Sequence, residues 1–471
     1  MSPAILLRLP EGAELTETCE GRLAIRTSRT DLSLAGLGLS LRAALRRLAE
    51  TGAAEAELAA EVAQGDGPAG LPALYYVLHE LQQRCLISYR AAGEQGPLAT
   101  AHPTSPDLPF CTRGVDLQKG YVFSKFAYLR REDGHMVIES PLSAVQVAVH
   151  DARVGAFCAG LATPHRLGEM EATACGLSSD EILALGTLLL SCRVLVEAGT
   201  ASQAASDDRG ALRTWEFHDL LFHTLTRLGR NRQGYGGTYR FAGRIEPLPA
   251  TKPPMSDEAF DLDRPDLDRL RREDMPLTAA LENRRSVRAF GDPPILLRQL
   301  GEFLYRTARQ RRTFAAETGQ QLSSRPYPGG GALYELEVYL SVESCVDLPP
   351  GFYHYCPAGH RLFKLSGRSE ATARLLHDAA LISRQPSPPQ VLLTIAARFA
   401  RVFWKYESMG YALILKDVGV LYQTMYLVAE AMGLSACALG GGNADLFAAA
   451  ADVDYYEESS VGELILGSRL P

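Results

Sequence analysis

Glu282-Asn283-Arg284-Arg285-Ser286-Val287-Arg288-Ala289-Phe290 is the stretch on which the fold turns. Three arginines and a serine crowd into five residues at the end of a predicted helix, Thr278–Arg284. Alone, such a run reads as readily as a solvated charge cluster. A second cluster, Gly467-Ser468-Arg469, directly follows a predicted strand, Val461–Leu466. Guanidinium groups grip phosphate bidentately and a serine hydroxyl adds a donor, so clusters at both ends of one domain can clamp a phosphate.

Two glycine strings lie between them. Pro328-Gly329-Gly330-Gly331 precedes a strand, Leu333–Val342, and Leu439-Gly440-Gly441-Gly442-Asn443 follows a long helix, Gly410–Met432, and a short strand, Ser435–Leu439. Neither fits GxGxxG or a P-loop, which argues against a dinucleotide fold or a nucleotide hydrolase. Lacking Cβ, glycine lets backbone amides approach a flat ring, although either string alone reads as a loop. A helix at Leu296–Arg306, a hairpin pairing Gly351–Tyr355 with Arg361–Leu365 and a buried strand at Gln390–Ala397 complete this half. Leu413, Leu421, Met425, Val428 and Met432 mark the buried side of the long helix.

Upstream, strands at Leu6–Leu9 and Gly21–Thr27, the latter ending in Ser28-Arg29-Thr30, precede helices at Leu39–Glu50, Ala54–Ala63 and Leu71–Arg84. A strand at Cys85–Tyr89 closes this winged-helix-like unit, and the Pro/Gly-rich stretch Gly93–Pro109 reads as a linker. Strands at Val137–Glu139 and Ala144–His150, helices at Val154–Gly160 and Ser178–Ser191 and a strand at Val194–Val196 then repeat the outline, with Ser178 as N-cap. LLLSCRVLVEAG at 188–199 echoes LHELQQRCLISYRAAG at 78–93. The expected division is two small modules, 1–93 and 94–200, ahead of a domain at 201–471. Ala198–Gly210 reads as a mobile stretch, Trp215–Arg227 as a helix, and Arg240–Met255, with Pro247, Pro249, Pro253 and Pro254, as an extended covering segment.

Composition narrows the partners. The chain has 471 residues, 46% hydrophobic and 22% charged, with a formal charge of −7, which argues against nucleic acid as the main partner. The apolar run near the N-terminus is broken by Arg8, Pro10 and Glu11, too early for a signal peptide. No stretch reads as the ~20 apolar residues of a membrane span, so a cytoplasmic protein is expected. Cysteines at 19, 85, 111, 158, 175, 192, 345, 356 and 437 form no CxxC pair, which favours reduced thiols over disulfides or zinc. His218 and His223, five apart, do not share a helical face, and no metal site is expected.

RRSVRAF, PYPGGGALYELEVYL, GFYHY, KDVGVLYQTMYLVAEAMGL and the terminal GSR together resemble the nitroreductase-like flavoproteins. Within these the likeness is to the azoline dehydrogenases of the SagB/McbC type, and most of all to the cyanobactin oxidases, and it covers about 215 to 471. The resemblance implies an α+β fold, a nitroreductase-like FMN-binding domain with a central antiparallel-type sheet and helices, preceded by the two winged-helix-like modules. It implies FMN contacts from Arg284, Arg285, Ser286 and Arg288, with Arg284 and Ser286 toward the phosphate and ribityl end and Arg288 at the ring edge. Pro328, Gly329 and Gly330 match a loop that in this family reaches the flavin of the other subunit of an intertwined homodimer. Leu439, Gly440 and Gly441 match the stretch near N5, and Ser468 and Arg469 close on the phosphate.

Lys405-Tyr406 falls where the azoline dehydrogenases carry their catalytic pair. Aromatising a thiazoline or oxazoline removes a proton from the α-carbon and a hydride from the neighbouring ring carbon. A tyrosine of pKa ~10 can take that proton if an adjacent cation helps hold it deprotonated. The expected activity is FMN-dependent oxidation of peptide azolines in cyanobactin-like biosynthesis, with O2 as final acceptor, a precursor peptide as substrate and a cyclodehydratase as further partner. The modules resemble elements that recognise leader peptides. An NAD(P)H-dependent nitro or quinone reductase, and a non-catalytic peptide-binding scaffold, remain the alternatives.

Overall fold

The computed structural model describes every residue except 1–4, 18–21, 28–29, 109, 173–175, 200–204, 232–233 and 471. The chain divides into two compact units, Met1–Gln233 and Gly234–Pro471. Ser28-Arg29, Pro109, Cys19, Cys175 and the middle of the expected mobile stretch at 198–210 lie outside the described residues.

In the first unit the helices Leu39–Glu50, Glu55–Gly65 and Leu71–Gln83 form as their apolar spacing predicts, and Ser178 caps Ser179–Ser191 through a capping box with Glu181. The expected linker is different. Gly96–Pro103 is a strand that pairs with Ser88–Gly93 on one side and Val145–Val149 on the other. Both belong to one six-stranded sheet that also holds Ile5–Arg8, His135–Glu139 and Tyr128–Glu132. The position expected to divide the modules, 93/94, therefore falls inside a hairpin. One apolar cluster runs from Leu7 to Leu195, so the two modules share a core. Glycine and proline stand only at the ends of the new strand, while Leu98, Ala99 and Ala101 fill its buried middle. The structural division falls at 233/234 rather than at 200/201.

The second unit is built on a seven-stranded sheet. Its strands are β1 (Ala259–Asp261), β2 (Leu336–Val342), β3 (Gly351–Cys356), β4 (Arg361–Ser366), β5 (Val391–Arg398), β6 (Leu434–Leu439) and β7 (Glu458–Ser468), in the order β1-β4-β3-β2-β5-β7-β6. Every neighbouring pair is antiparallel. Its helices include α1 (Leu277–Asn283), α2 (Leu297–Ala308), α3 (Glu370–Ser383), α4 (Phe399–Phe403), α5 (Gly410–Ala431) and α6 (Ala444–Ala451).

Side chains alternate across a strand, and both faces of this sheet are covered, so the central strands read as continuous apolar runs. In β5, Val391, Leu393, Ile395 and Ala397 face α2 and α5, while Leu392 and Ala396 join the cluster of α3 and α6. Helix α5 has the length and composition of a membrane span, which the sequence reading missed. Its apolar stretch has a mean hydropathy of 1.3 and is only 33% buried. Its inner face nevertheless packs Ile414, Val418, Leu421 and Met425 into the sheet.

The proline-rich segment crosses this unit as a strap. Prolines offer no N–H, and the carbonyls around them need donors from elsewhere. Trp404 Nε1 donates to Ile245 O (2.7 Å), Arg401 Nη1 to Leu248 O (2.6 Å) and Arg398 Nη1 to Pro249 O (3.0 Å). Lys252 Nζ reaches Glu458 Oε2 at 2.6 Å and Tyr339 Oη at 2.7 Å, and Tyr339 Oη donates to Glu458 Oε1 at 2.6 Å. The strap thus pins α4, from whose end Lys405 and Tyr406 emerge. Lys252→Met strands a buried carboxylate, and we expect a loss of about 3 kcal/mol in the unfolding of this unit, read by urea denaturation.

Candidate functional site

Segment 284–288 leaves α1 in an extended conformation and lies along the open edge of β6. Val287 N–H donates to Ala436 O at 3.0 Å. From α5, Tyr426 Oη accepts the Ala438 N–H at 2.7 Å and sits 3.0 Å from Ser286 Oγ. Either hydroxyl can donate in this contact, since the phenol oxygen can accept a second hydrogen bond. The Arg284 guanidinium lies 5.2 Å over the Tyr426 ring.

One turn further along α5, Glu430 binds Arg469 through both carboxylate oxygens, at 2.6 and 3.3 Å. Arg469, and then Arg285 and Arg284, hold this carboxyl below its usual range. The clusters from the two ends of the domain meet here, around a single carboxylate, and their positive charge exceeds what it neutralises. Arg469 Nε is buried without a partner. Arg288 is exposed, and among the described residues it makes no hydrogen bond or ion pair. Ser468 is turned elsewhere: its hydroxyl donates to Gly291 O (3.0 Å) and accepts from Gln390 Nε2 (3.1 Å), while its amide donates to Gln390 Oε1 (2.8 Å). Gln390 ties the end of β7 to the segment that carries the arginines.

At the other end of β6, a cleft of about 380 Å³ is lined by Leu439–Gly442, Tyr411, Tyr422 and Ser460–Glu463. A Cβ at Gly440 or Gly441 would meet nothing within 4 Å, and neither residue has positive φ. The chain's own packing does not demand glycine there, and the open space lies above the loop. Gly442 differs, since its Cβ would strike the Glu463 carboxylate. Tyr422 Oη is buried beside the Glu463 backbone, and burial raises the carboxyl of Glu463, which accepts from Ser460 Oγ. Strand β6 spans roughly 16 Å between the arginines and the cleft.

Lys405 and Tyr406 gather a third group. Tyr406-Glu407 pairs with Gly236-Gly237, and Tyr239 N–H donates to Lys405 O at 3.1 Å. Lys405 Nζ lies 5.2 Å from the Tyr406 ring centre and 5.6 Å from that of Tyr239. Among the described residues it pairs with no carboxylate. The loop Pro328–Gly331 rests against this pair and against Leu413 and Asp417 of α5. Tyr411 and Tyr422, about three turns apart, share the cleft side of α5, and Leu413 and Asp417 lie about half a turn round from it. Within one chain, then, the Lys405–Tyr406 group and the glycine cleft are on opposite sides of the helix.

The sequence reading missed Tyr426, Glu430, Asp417 and Gln390. Polar side chains within a helix that otherwise reads as core, and a glutamine at the head of a buried strand, were the available signals. Elsewhere, His218 Nε2 lies 3.6 Å from both Glu216 and Asp219, and all three residues are exposed. The seven described cysteines are free thiols; Cys192 and Cys437 are buried and Cys111 is exposed. The first unit has its own cavity of about 590 Å³, walled by residues that include Leu7, Glu55, Gln82, Tyr89 and Phe110.

Three family models match the chain in succession. These are the ThcOx helix-turn-helix domain over 1–111, the cyanobactin oxidase ThcOx over 121–232 and the nitroreductase family over 281–468. A Methanocaldococcus jannaschii protein named as a nitroreductase is 28% identical over 183 residues, which cover 39% of this chain and 85% of that protein. The microcin B17-processing protein McbC of Escherichia coli is 33% identical over 115 residues, 23% of this chain and 42% of McbC. Among solved structures, the E. coli microcin synthetase McbBCD complex with truncated pro-MccB17 bound aligns at 20% identity and a TM-score of 0.34, covering 50% of this chain and 89% of that one.

Proposed function

We infer that this oxidoreductase, a nitroreductase-family domain behind an N-terminal half of the cyanobactin-oxidase kind, oxidises azoline rings in a ribosomally made peptide to the aromatic azoles with the help of FMN. The observation that carries the reading is the line along β6: arginines with unspent charge at one end, an open glycine cleft at the other. Arg284, Arg285, Ser286, Arg288 and Arg469 would hold the phosphate end of FMN, and Leu439, Gly440 and Gly441 would receive its ring. Bound there, FMN supplies an acceptor for the hydride, and O2 is the final electron acceptor. Ser468 serves this site by positioning, through Gln390 and Gly291.

The chain's own residues manage the proton. Loss of aromatic precursor hydrogens is one hydride from the ring carbon and one proton from the α-carbon, and Tyr406 Oη receives the proton. Lys405 Nζ, 5.2 Å from the centre of the tyrosine ring, sets a positive charge beside the group that takes the proton. The Pro328–Gly331 loop covers the pair and limits water around it.

Because the pair and the cleft lie on opposite sides of α5, the reading places the working site between two copies. The exposed apolar face of α5, with Tyr411 41% and Leu415 40% accessible, and the neighbouring Leu277 and Leu281 of α1 supply the surface for a homodimer. McbC processes microcin B17 by name, and the McbBCD complex was solved with its pro-peptide; a peptide substrate and partner synthetase subunits extend that pattern to this chain. A nitroreductase driven by NAD(P)H is the second reading, favoured by the M. jannaschii relative. Flavin bleaching by NADH without air supports it.

A thiazoline peptide incubated with the FMN-loaded protein should lose about 2 Da by mass spectrometry; unchanged mass with flavin fully bound rejects the azoline reading. Tyr406→Phe should retain FMN while turnover falls by ~100-fold or more, the scale of general-base catalysis. Arg469→Ala removes one cation from the phosphate end and leaves Glu430 without its bonded partner, and FMN should bind about tenfold or more weakly by fluorescence titration. Mixing Tyr406→Phe with Arg469→Ala subunits should restore turnover that neither has alone, if each site draws on both copies.

A further inference from the structure

Beneath the loop that covers Lys405 and Tyr406 lie two carboxyl groups with no role in the reaction described above. Asp417, on the inner side of α5, accepts the Gly330 N–H with both oxygens, at 2.9 Å for Oδ2 and 3.1 Å for Oδ1. Glu335, at the foot of β2, is fully buried, and apart from its own backbone amide and Asp417 nothing among the described residues hydrogen-bonds its carboxyl. The group it faces is Asp417. Two carboxylates are both acceptors, so they can bond only if one of them keeps a proton.

The cations nearby do not remove that need. Arg325 donates Nη1 and Nη2 to the carbonyls of Leu336 (2.9 Å) and Tyr334 (3.3 Å) and leaves Nε without a partner; its charge lowers the Glu335 carboxyl by less than burial and Asp417 raise it. Arg401 is spent on those of Leu333, Gln321 and Leu248. Lys416 neighbours Asp417 in sequence, and the buried Tyr327 hydroxyl, close to both carboxyls, has no partner of its own. Among the described residues no cation forms an ion pair with either acid.

The next residue along the loop connects this pair to the chemistry. Gly331 has φ +61°, and a methyl group there would lie 2.5 Å from Tyr406 Oη and 2.8 Å from Lys405 Nζ. A methyl on Gly330 would strike Leu413 at 2.6 Å. The loop therefore sits between Asp417 and the Lys405–Tyr406 atoms with no slack on either side, and its height is set by the hydrogen bonds at Gly330.

We propose that Asp417 and Glu335 share one proton and act together as positioning residues, holding the Pro328–Gly331 loop against Lys405 and Tyr406 through the Gly330 amide. The assignment rests on the proposed function for its effect on turnover, but not for its effect on the loop. Burial, with Asp417 next, pushes the Glu335 carboxyl up to about 8, and burial raises Asp417 as well. A raised carboxyl contributes its stabilisation below its ordinary range and loses it as pH climbs through the raised value. The singly protonated pair thus persists through neutral pH and gives way above about pH 8, where two buried negative charges repel and the loop lifts.

Hydrogen exchange at Gly330, followed by mass spectrometry on the FMN-loaded protein without substrate, reads the loop directly. Wild type should protect this amide at pH 7 and lose protection, after correction for intrinsic exchange, above about pH 8. Asp417→Ala should lower protection about tenfold or more at every pH, the loss of one hydrogen bond to a charged acceptor. Asp417→Asn keeps an acceptor for Gly330 and offers an N–H to Glu335 without a shared proton, so its protection should stay flat across pH 8. Glu335→Gln, which donates to Asp417 permanently, should behave the same way and stands in if Asp417→Ala fails to fold. In turnover assays the alkaline limb of the wild-type kcat profile should shift or vanish in Asp417→Asn while KM is unchanged. Unaltered Gly330 protection in Asp417→Ala, or an unchanged alkaline loss in both conservative variants, overturns the proposal. If the exchange results hold and no azoline is oxidised by wild type, the proposed function fails and the loop assignment stands.

Discussion

The open edge of β6 is the constraint from which the rest of the candidate site follows. An edge strand exposes unpaired N–H and C=O groups, and a stable fold covers them. Here Val287 takes the Ala436 carbonyl and the Tyr426 hydroxyl takes the Ala438 amide. Closing the edge in this way brings a run of arginines from the end of α1 to the end of β7, where Arg469 stands. Backbone satisfaction and charge convergence are thus one event: the chain cannot cover this strand with segment 284–288 without also gathering its cations around Glu430. Gln390 makes the arrangement rigid by bridging Gly291, Ile295 and Ser468.

Helix α5 mediates between two different environments. Its cleft side carries Tyr411 and Tyr422, and its other side carries Leu413 and Asp417 against the loop over Lys405 and Tyr406. Its apolar composition serves packing on the sheet and also leaves much of its surface open. A helix of this kind has the composition of a membrane span, while its two acidic groups, Asp417 and Glu430, are each committed to a specific partner within the fold and Lys416 is exposed.

Much of this architecture was legible in the chain. The central strands were readable because both faces are buried and their apolar runs are long, and α5 because its core side repeats at helical spacing. The arginine clusters were readable as a pair because they flank one domain. What escaped was polar chemistry whose partner is remote in sequence. Ser468 looked like a phosphate donor because its hydroxyl stands beside Arg469 directly after a strand, yet Gln390, 78 residues away, claims it. Tyr426 and Glu430 were hidden in a helix whose pattern announces core. The strand Gly96–Pro103 was mistaken for a linker because its glycine and proline, which mark the ends, outweighed the small buried residues between them. Gly440 and Gly441 could be read as loop glycines, but only the fold reveals that the chain itself does not require them to be glycine.

The strap has a bearing on where this half of the molecule can be cut. The family match begins at residue 281, well after the carbonyls of Ile245, Leu248 and Pro249 that occupy Trp404, Arg401 and Arg398. The strand partner of Tyr406, at Gly236–Gly237, lies earlier still. A fragment trimmed to the match would take one carbonyl acceptor each from the buried Arg398 and Arg401 guanidinium groups and from the Trp404 ring N–H, and would release the segment that carries Lys405. A cut that keeps the strap and the strand partner of Tyr406 falls near Gly234, where the second unit begins, 47 residues ahead of the start of the family match.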